Sequence, residues 1–107
     1  MARDAAPVDA IAKRTLALLM ERIPVTEAYL FGSSRAGTAD EDSDIDIAAF
    51  SPAVATLPIE RRIDLMVQVE RQVGAPVELH LFSHEQLAEA RPSNFFGYLR
   101  SHGKRIL

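Results

Sequence analysis

The sequence contains no cysteine, no excess of basic residues and no long apolar run, and each absence excludes a class of protein. Without cysteine, the chain forms neither disulfides nor cysteine-based zinc sites, which suits a reducing compartment. The formal net charge is -3 and the basic residues are mixed with acidic ones, which argues against binding of duplex nucleic acid through its phosphates. The apolar runs are too short to cross a membrane, and the first ten residues lack the apolar core of a secretory signal. We therefore expect a cytoplasmic protein with no membrane association.

Length and composition predict one soluble domain. The 107 residues match the size of a single domain, and 48% hydrophobic with 25% charged residues is ordinary for a globular protein. No internal repeat or linker interrupts the chain, so we expect one domain over residues 1–107.

The hydrophobic pattern predicts an α/β domain in which helices cover one sheet. Apolar residues at helical spacing, with proline and glycine at the expected ends, predict the helices. A capping-box sequence at 83–86 predicts a further short helix. The predicted helices are 8–23, 59–73, a short helix from Ser83 and a last helix between Pro92 and Gly103. The predicted strands are 26–31, 44–50, 76–82 and an edge strand within 104–107.

Two aspartates interrupt the apolar strand that begins at residue 44. Because side chains alternate along a strand, Asp44 and Asp46 point to one side and Ile45 and Ile47 to the other. Two adjacent carboxylates repel each other unless they share a cation. Magnesium is often held by one or two carboxylates together with substrate phosphates. The pair therefore predicts half of a metal site, and a phosphate-bearing ligand would supply the other half.

The segment after the first strand is suited to phosphates. Gly32 lets the backbone approach a ligand closely, Ser33 adds a hydroxyl donor, and Arg35 is a candidate positive charge. A third carboxylate, Glu78, lies within the strand 76–82. The intervening helix is long enough for a crossover that brings this strand beside Asp44 and Asp46. Three acids around two metals suit phosphoryl or nucleotidyl transfer, in which the third acid helps to deprotonate an attacking hydroxyl.

The stretch "GSSRAGTADEDSDIDI" resembles the polymerase-beta-like nucleotidyltransferases, and the small single-domain minimal nucleotidyltransferases (MNT proteins) in particular. The matching signature is Gly32-Ser33, ten residues, then Asp44-Ile45-Asp46. The resemblance implies a mixed β-sheet with helices packed on it. It also implies ATP as substrate with Mg²⁺, two ions, or Mn²⁺ in their place. Gly32 and Ser33 would hold the triphosphate, while Asp44, Asp46 and Glu78 would be the catalytic metal ligands.

The same resemblance implies a partner. Many MNT proteins resemble the antitoxin of a toxin–antitoxin pair whose toxin is an HEPN-domain RNase, and they can transfer AMP to a tyrosine of that toxin. We therefore predict a protein adenylyltransferase. Two alternatives stay open: an antitoxin that neutralises its toxin by binding alone, and a transferase that acts on a small molecule.

Several residues depart from the family pattern or have simpler interpretations. The third acid is commonly aspartate in MNT proteins and here is Glu78, whose side chain is one methylene longer. The loop often carries a basic residue at the position of Ala36, whereas here the arginine is Arg35, for which a solvated loop charge is the favoured interpretation. His80 shares a strand face with Glu78, and a histidine without a catalytic part is favoured there. The aromatic residues of the last helix are expected to pack in the core, with an exposed partner patch as the alternative.

Overall fold

The fold is a four-stranded mixed sheet with helices on both faces, seen in a computed structural model that describes residues 5–32 and 44–107, with side chains from residue 8 onward. The helices are α1 (Ala5–Met20), α2 (Ile59–Val73) and α3 (Phe95–His102), and the strands are β1 (Glu27–Phe31), β2 (Ile45–Ser51), β3 (Val77–Ser83) and β4 (Lys104–Arg105). The strands lie in the order β3-β2-β1-β4. β2 pairs antiparallel with β1 and parallel with β3, and β4 pairs antiparallel with β1.

These elements confirm the predicted order of helices and strands, with small shifts at their ends. α1 ends at Met20 rather than at residue 23, and hydrogen-bonded turns from Glu21 to Ile23 complete it before Pro24. The short helix after Ser83 is a 3-10 helix over His84–Glu89, with the Ser83 amide donating to Gln86 Oε1 at 2.9 Å. A second 3-10 helix, Pro52–Thr56, was not predicted; Ser51 Oγ accepts from the Ala53 amide at its start.

The core lies on both faces of the sheet. On one face α1 and α2 pack against the aliphatic side chains of the three long strands, including Ile45, Ile47 and Leu79. On the other face Leu99 of α3 and Leu87 of the 3-10 helix His84–Glu89 cover Phe50 and Tyr29. The first part of β2 and β3 carries the polar side chains Asp46, Glu78 and His80 on this second face. The functional candidates lie there.

Within the described ranges, no helix is long and apolar enough to span a membrane.

Candidate functional site

The candidate site lies where three strands present side chains in one row. Asp46 of β2 pairs antiparallel with Phe31 of β1 and parallel with Glu78 of β3. These three residues therefore lie side by side on one face of the sheet, since neighbouring strands are about 5 Å apart. The parallel pairing is the crossover geometry that the sequence predicted, with α2 connecting the two strands. It brings the carboxylates of Asp46 and Glu78 together.

His80 completes the cluster. It lies two residues after Glu78 on the same face, and its Nε2 atom is 3.6 Å from Glu78 Oε1 and 3.9 Å from Asp46 Oδ1. Each of the three side chains offers one ligand atom, and these atoms lie within 4.8 Å of one another. Two carboxylates and an imidazole within this distance form a set of ligands suited to a divalent metal ion. The sequence favours a histidine without a catalytic part here, and its i, i+2 spacing from Glu78 predicts only that the two share a strand face.

Asp44 lies at the margin of this cluster. It immediately precedes β2 and is exposed, and it lies outside the close group formed by the other described ligands. Its negative charge nevertheless acts on Asp46. An exposed carboxylate next to the cluster is free of any buried packing that would fix its direction. Asp44 is thus placed to extend the cluster toward a bound ligand.

The surroundings of Asp46 disfavour the negative charge of its carboxylate. Burial and the negative charge of Glu78, with a smaller effect from Asp44, raise the pKa of Asp46 above its ordinary value of 3.8, while His80 offsets part of the rise. A carboxylate in this position gains from a nearby cation, because a cation cancels the repulsion that raises its pKa. The donor set and its electrostatics therefore fit the divalent metal that the sequence resemblance implies.

Gly32 directly follows β1 and borders the site. Its backbone has a positive φ of 68°, a conformation that favours glycine. A Cβ atom at this position would lie 2.9 Å from Asp46 Oδ2. The absence of a side chain therefore keeps the space directly against the carboxylate open. Ser33 and Arg35, the other predicted nucleotide-binding residues, lie outside the described residues.

Replacing Gly32 with alanine should damage the site more than the fold. We expect a loss of about 1–2 kcal/mol in the free energy of unfolding from the positive φ, together with weaker metal binding because the new methyl group pushes on Asp46. Gly74 is the matched control, because it has φ 71° but open space where a Cβ would lie. Calorimetric titration with Mn²⁺ should show reduced affinity for Gly32→Ala only. Equal affinities in the two variants would contradict the close-contact explanation.

Comparison with known proteins identifies the family. The chain matches the nucleotidyltransferase domain over residues 12–100. The chain belongs to this family. A comparison with curated proteins finds no match.

Solved structures support the assignment of this nucleotidyltransferase domain. A toxin–antitoxin structure with AMP-PNP is 28% identical with a TM-score of 0.65, over 89% of this chain and 71% of that chain. The toxin–antitoxin MntA-HepT is 24% identical with a TM-score of 0.59, over 92% and 70% of the two chains. A candidate nucleotidyltransferase from Sulfolobus solfataricus is 20% identical with a TM-score of 0.63, over 79% and 75%. The last two likenesses concern the fold alone. The predicted polymerase-beta-like fold is thereby confirmed, and so is the predicted likeness to MNT antitoxins, as a likeness of fold.

Proposed function

We propose that this nucleotidyltransferase domain transfers AMP from ATP to a hydroxyl group of a partner protein. The observation that carries the proposal is the pair of carboxylates, Asp46 and Glu78, side by side on parallel strands with Gly32 open against one of them. A likeness at 28% identity to a toxin–antitoxin structure with AMP-PNP supports an adenine nucleotide as the donor. The partner we propose is an HEPN-domain RNase toxin, and the acceptor is a tyrosine.

The transfer is a displacement at the α-phosphorus of ATP. The acceptor oxygen forms a bond to this phosphorus, the bond to the bridging α–β oxygen breaks, and pyrophosphate leaves. The acceptor proton passes to a carboxylate. Glu78 is the candidate base, because its side chain is 55% exposed and so remains accessible to a large acceptor.

The remaining residues bind and orient. Asp44 and Asp46, with Glu78, would hold the metal, and the backbone at Gly32 would approach the triphosphate. When bound, a divalent metal neutralises phosphate charge and stabilises the charge that develops in the transition state. Most of the catalytic effect would then come from positioning and electrostatics, as in other phosphoryl transfers.

An open site fits a protein acceptor. Asp44 and Glu78 are both exposed, and β3 is an edge strand of the sheet. A small acceptor would need walls to orient it, as most small-molecule sites are concave. A protein acceptor brings its own surface and needs an accessible strand edge instead.

The decisive experiment is intact mass spectrometry of the co-expressed HEPN-domain partner after incubation with the chain, ATP and Mg²⁺. We expect a gain of one or more AMP groups, matched by release of pyrophosphate. AMP-PNP should also serve as donor, because its altered bridge lies between the β and γ phosphorus atoms. α,β-Methylene-ATP should not, because the bond that must break is replaced by carbon.

Other results would select a different function. An unchanged partner mass in a tight complex would support an antitoxin that acts by binding alone. Pyrophosphate release in the presence of a small hydroxyl compound, with no partner, would support a small-molecule transferase. A gain of phosphate rather than AMP would overturn transfer at the α-phosphorus.

A further inference from the structure

His80 is placed differently from a solvated strand histidine. Its side chain is only 32% exposed, and its Nε2 atom is buried without a hydrogen-bond partner among the described residues. The nearest carboxylate oxygens, at 3.6 and 3.9 Å, are beyond hydrogen-bond distance. Both carboxylates therefore lie at ion-pair distance from Nε2 but too far for a hydrogen bond, which leaves room for a cation between the three groups.

The packing around the imidazole holds it in this direction. The Phe31 ring lies 5.3 Å from the His80 ring, and Phe95 of α3 packs on Phe31 at 5.4 Å. Across the parallel pair, His80 faces Ala48, whose methyl group leaves room for the ring to lean toward Asp46. Aromatic packing on one side and a small neighbour on the other therefore aim Nε2 at the carboxylates.

The distances suit direct coordination. With metal–ligand bonds of about 2.1 Å, adjacent ligand atoms of an octahedral ion lie about 3.0 Å apart and opposite ones about 4.2 Å apart. The separations of Nε2 from the two carboxylates, 3.6 and 3.9 Å, fall between these values. The widest separation in the group is at most 4.8 Å, so a contraction of less than about 1 Å closes it. Rotations of the Glu78 and Asp46 side chains, which are 55% and 26% exposed, would together supply this contraction.

We propose that His80 is a metal ligand and makes this site prefer a first-row transition-metal dication such as Mn²⁺ over Mg²⁺. Magnesium is a hard ion that keeps oxygen ligands and waters, whereas imidazole nitrogen is a typical ligand of transition metals. A purely carboxylate site would discriminate little between the two ions. The proposal rests on the proposed nucleotidyltransferase function for the metal's role, but its test measures coordination rather than turnover.

The test is electron–nuclear double resonance on Mn²⁺ bound to the chain with ¹⁵N-labelled histidine, in the presence of α,β-methylene-ATP. A ¹⁵N coupling reports a coordinated imidazole, and a ³¹P coupling reports the nucleotide on the same ion. We expect both couplings in the wild type. His80→Phe should lose the ¹⁵N coupling, because phenylalanine preserves the ring packing without a ligand atom. His102→Phe is the control and should keep it, since His102 stacks on Tyr98 of α3 instead.

Affinities provide the second readout. We expect His80→Phe to weaken Mn²⁺ binding at least about tenfold, while Mg²⁺ affinity changes by less than about threefold. A ³¹P coupling without ¹⁵N coupling in the wild type would overturn the role of His80 and leave the proposed function standing. A ¹⁵N coupling without ³¹P coupling would support His80 as a ligand and count against a nucleotide at this metal. The absence of both would overturn both proposals.

Discussion

Replacing Asp46 with asparagine should reduce AMP transfer at least about 100-fold and, at the same time, make the metal-free protein more stable at neutral pH. The two effects have one cause. Burial, the carboxylate of Glu78 and, less strongly, that of Asp44 raise the pKa of Asp46. The charge that the proposed reaction would need at Asp46 is therefore a charge that disfavours the folded state when no cation is bound. Asparagine keeps the shape of the side chain and removes the charge.

The pH dependence of this effect has a definite sign. A raised pKa means that the folded protein binds a proton at Asp46 more tightly than the unfolded chain does. The free energy of unfolding therefore falls as the pH rises above the ordinary value of 3.8 and through the folded pKa, and stays lowered at neutral pH. Asparagine does not titrate. The variant should be the more stable protein at pH 7, and the difference should shrink as the pH falls toward 3.8.

Calorimetric unfolding across pH, with and without Mn²⁺, checks both parts. Added metal should raise the Tm of the wild type by mass action and that of Asp46→Asn much less, so that the order of stability reverses. Asp64→Asn is the matched control, because it removes one exposed aspartate from α2 on the far side of the sheet. A lower Tm for metal-free Asp46→Asn at pH 7 would contradict the electrostatic argument.

The sequence predicts the scaffold of the site better than its contacts. Period-two alternation correctly assigns Ile45, Ile47 and Leu79 to the core. A crossover helix between the two strands predicts their adjacency, and the parallel register of Asp46 with Glu78 confirms it. These results follow from local periodicity and chain connectivity, both of which can be deduced from the sequence alone. The roles of Asp44, Asp46 and Glu78 in catalysis remain predictions.

The details that the sequence does not predict depend on register. His80 approaches the carboxylates because Ala48, rather than a larger residue, lies opposite it across the β2–β3 pair. A Cβ at Gly32 would meet Asp46 because β1 and β2 pair with Phe31 opposite Asp46. A shift of either register by one residue would place different side chains together. Periodicity identifies the faces of a strand but not its partner positions, so these contacts require the structure.

Replacing Gly97 with alanine should lower the free energy of unfolding more than the same replacement of Gly32 or Gly74. A Cβ at this position would lie 1.7 Å from the backbone oxygen of Arg91 and 2.4 Å from its carbonyl carbon. The oxygen cannot move independently, because the loop from Arg91 is held by Asn94. Asn94 Oδ1 accepts from the amides of Arg91 and Gly97, and Asn94 Nδ2 donates to the Glu89 carbonyl. The clash therefore displaces a carbonyl group whose loop is held in place by these hydrogen bonds.

Two opposing contributions to the free energy of unfolding determine the sign of this effect. Alanine is favoured over glycine inside a helix by about 1 kcal/mol, whereas overpacking a well-packed site costs about 1–3 kcal/mol and occasionally more. At 1.7 Å the contact is far inside van der Waals distance, so we expect the upper end of that range, a net loss of about 2 kcal/mol or more. Urea unfolding measures it. Ser101→Ala, an exposed position in the same helix, is the control and should be neutral or slightly stabilising.

Gly97→Ala should also affect the candidate site, although it replaces none of the candidate metal ligands. α3 begins at Phe95, which packs on Phe31, and Phe31 packs on His80. Displacing the first turn of α3 removes the aromatic support that aims the imidazole. We therefore expect Gly97→Ala to weaken Mn²⁺ binding even under conditions in which the variant remains folded. Unchanged metal affinity in folded Gly97→Ala would mean that β3 alone orients His80, and that the aromatic layer contributes to stability only.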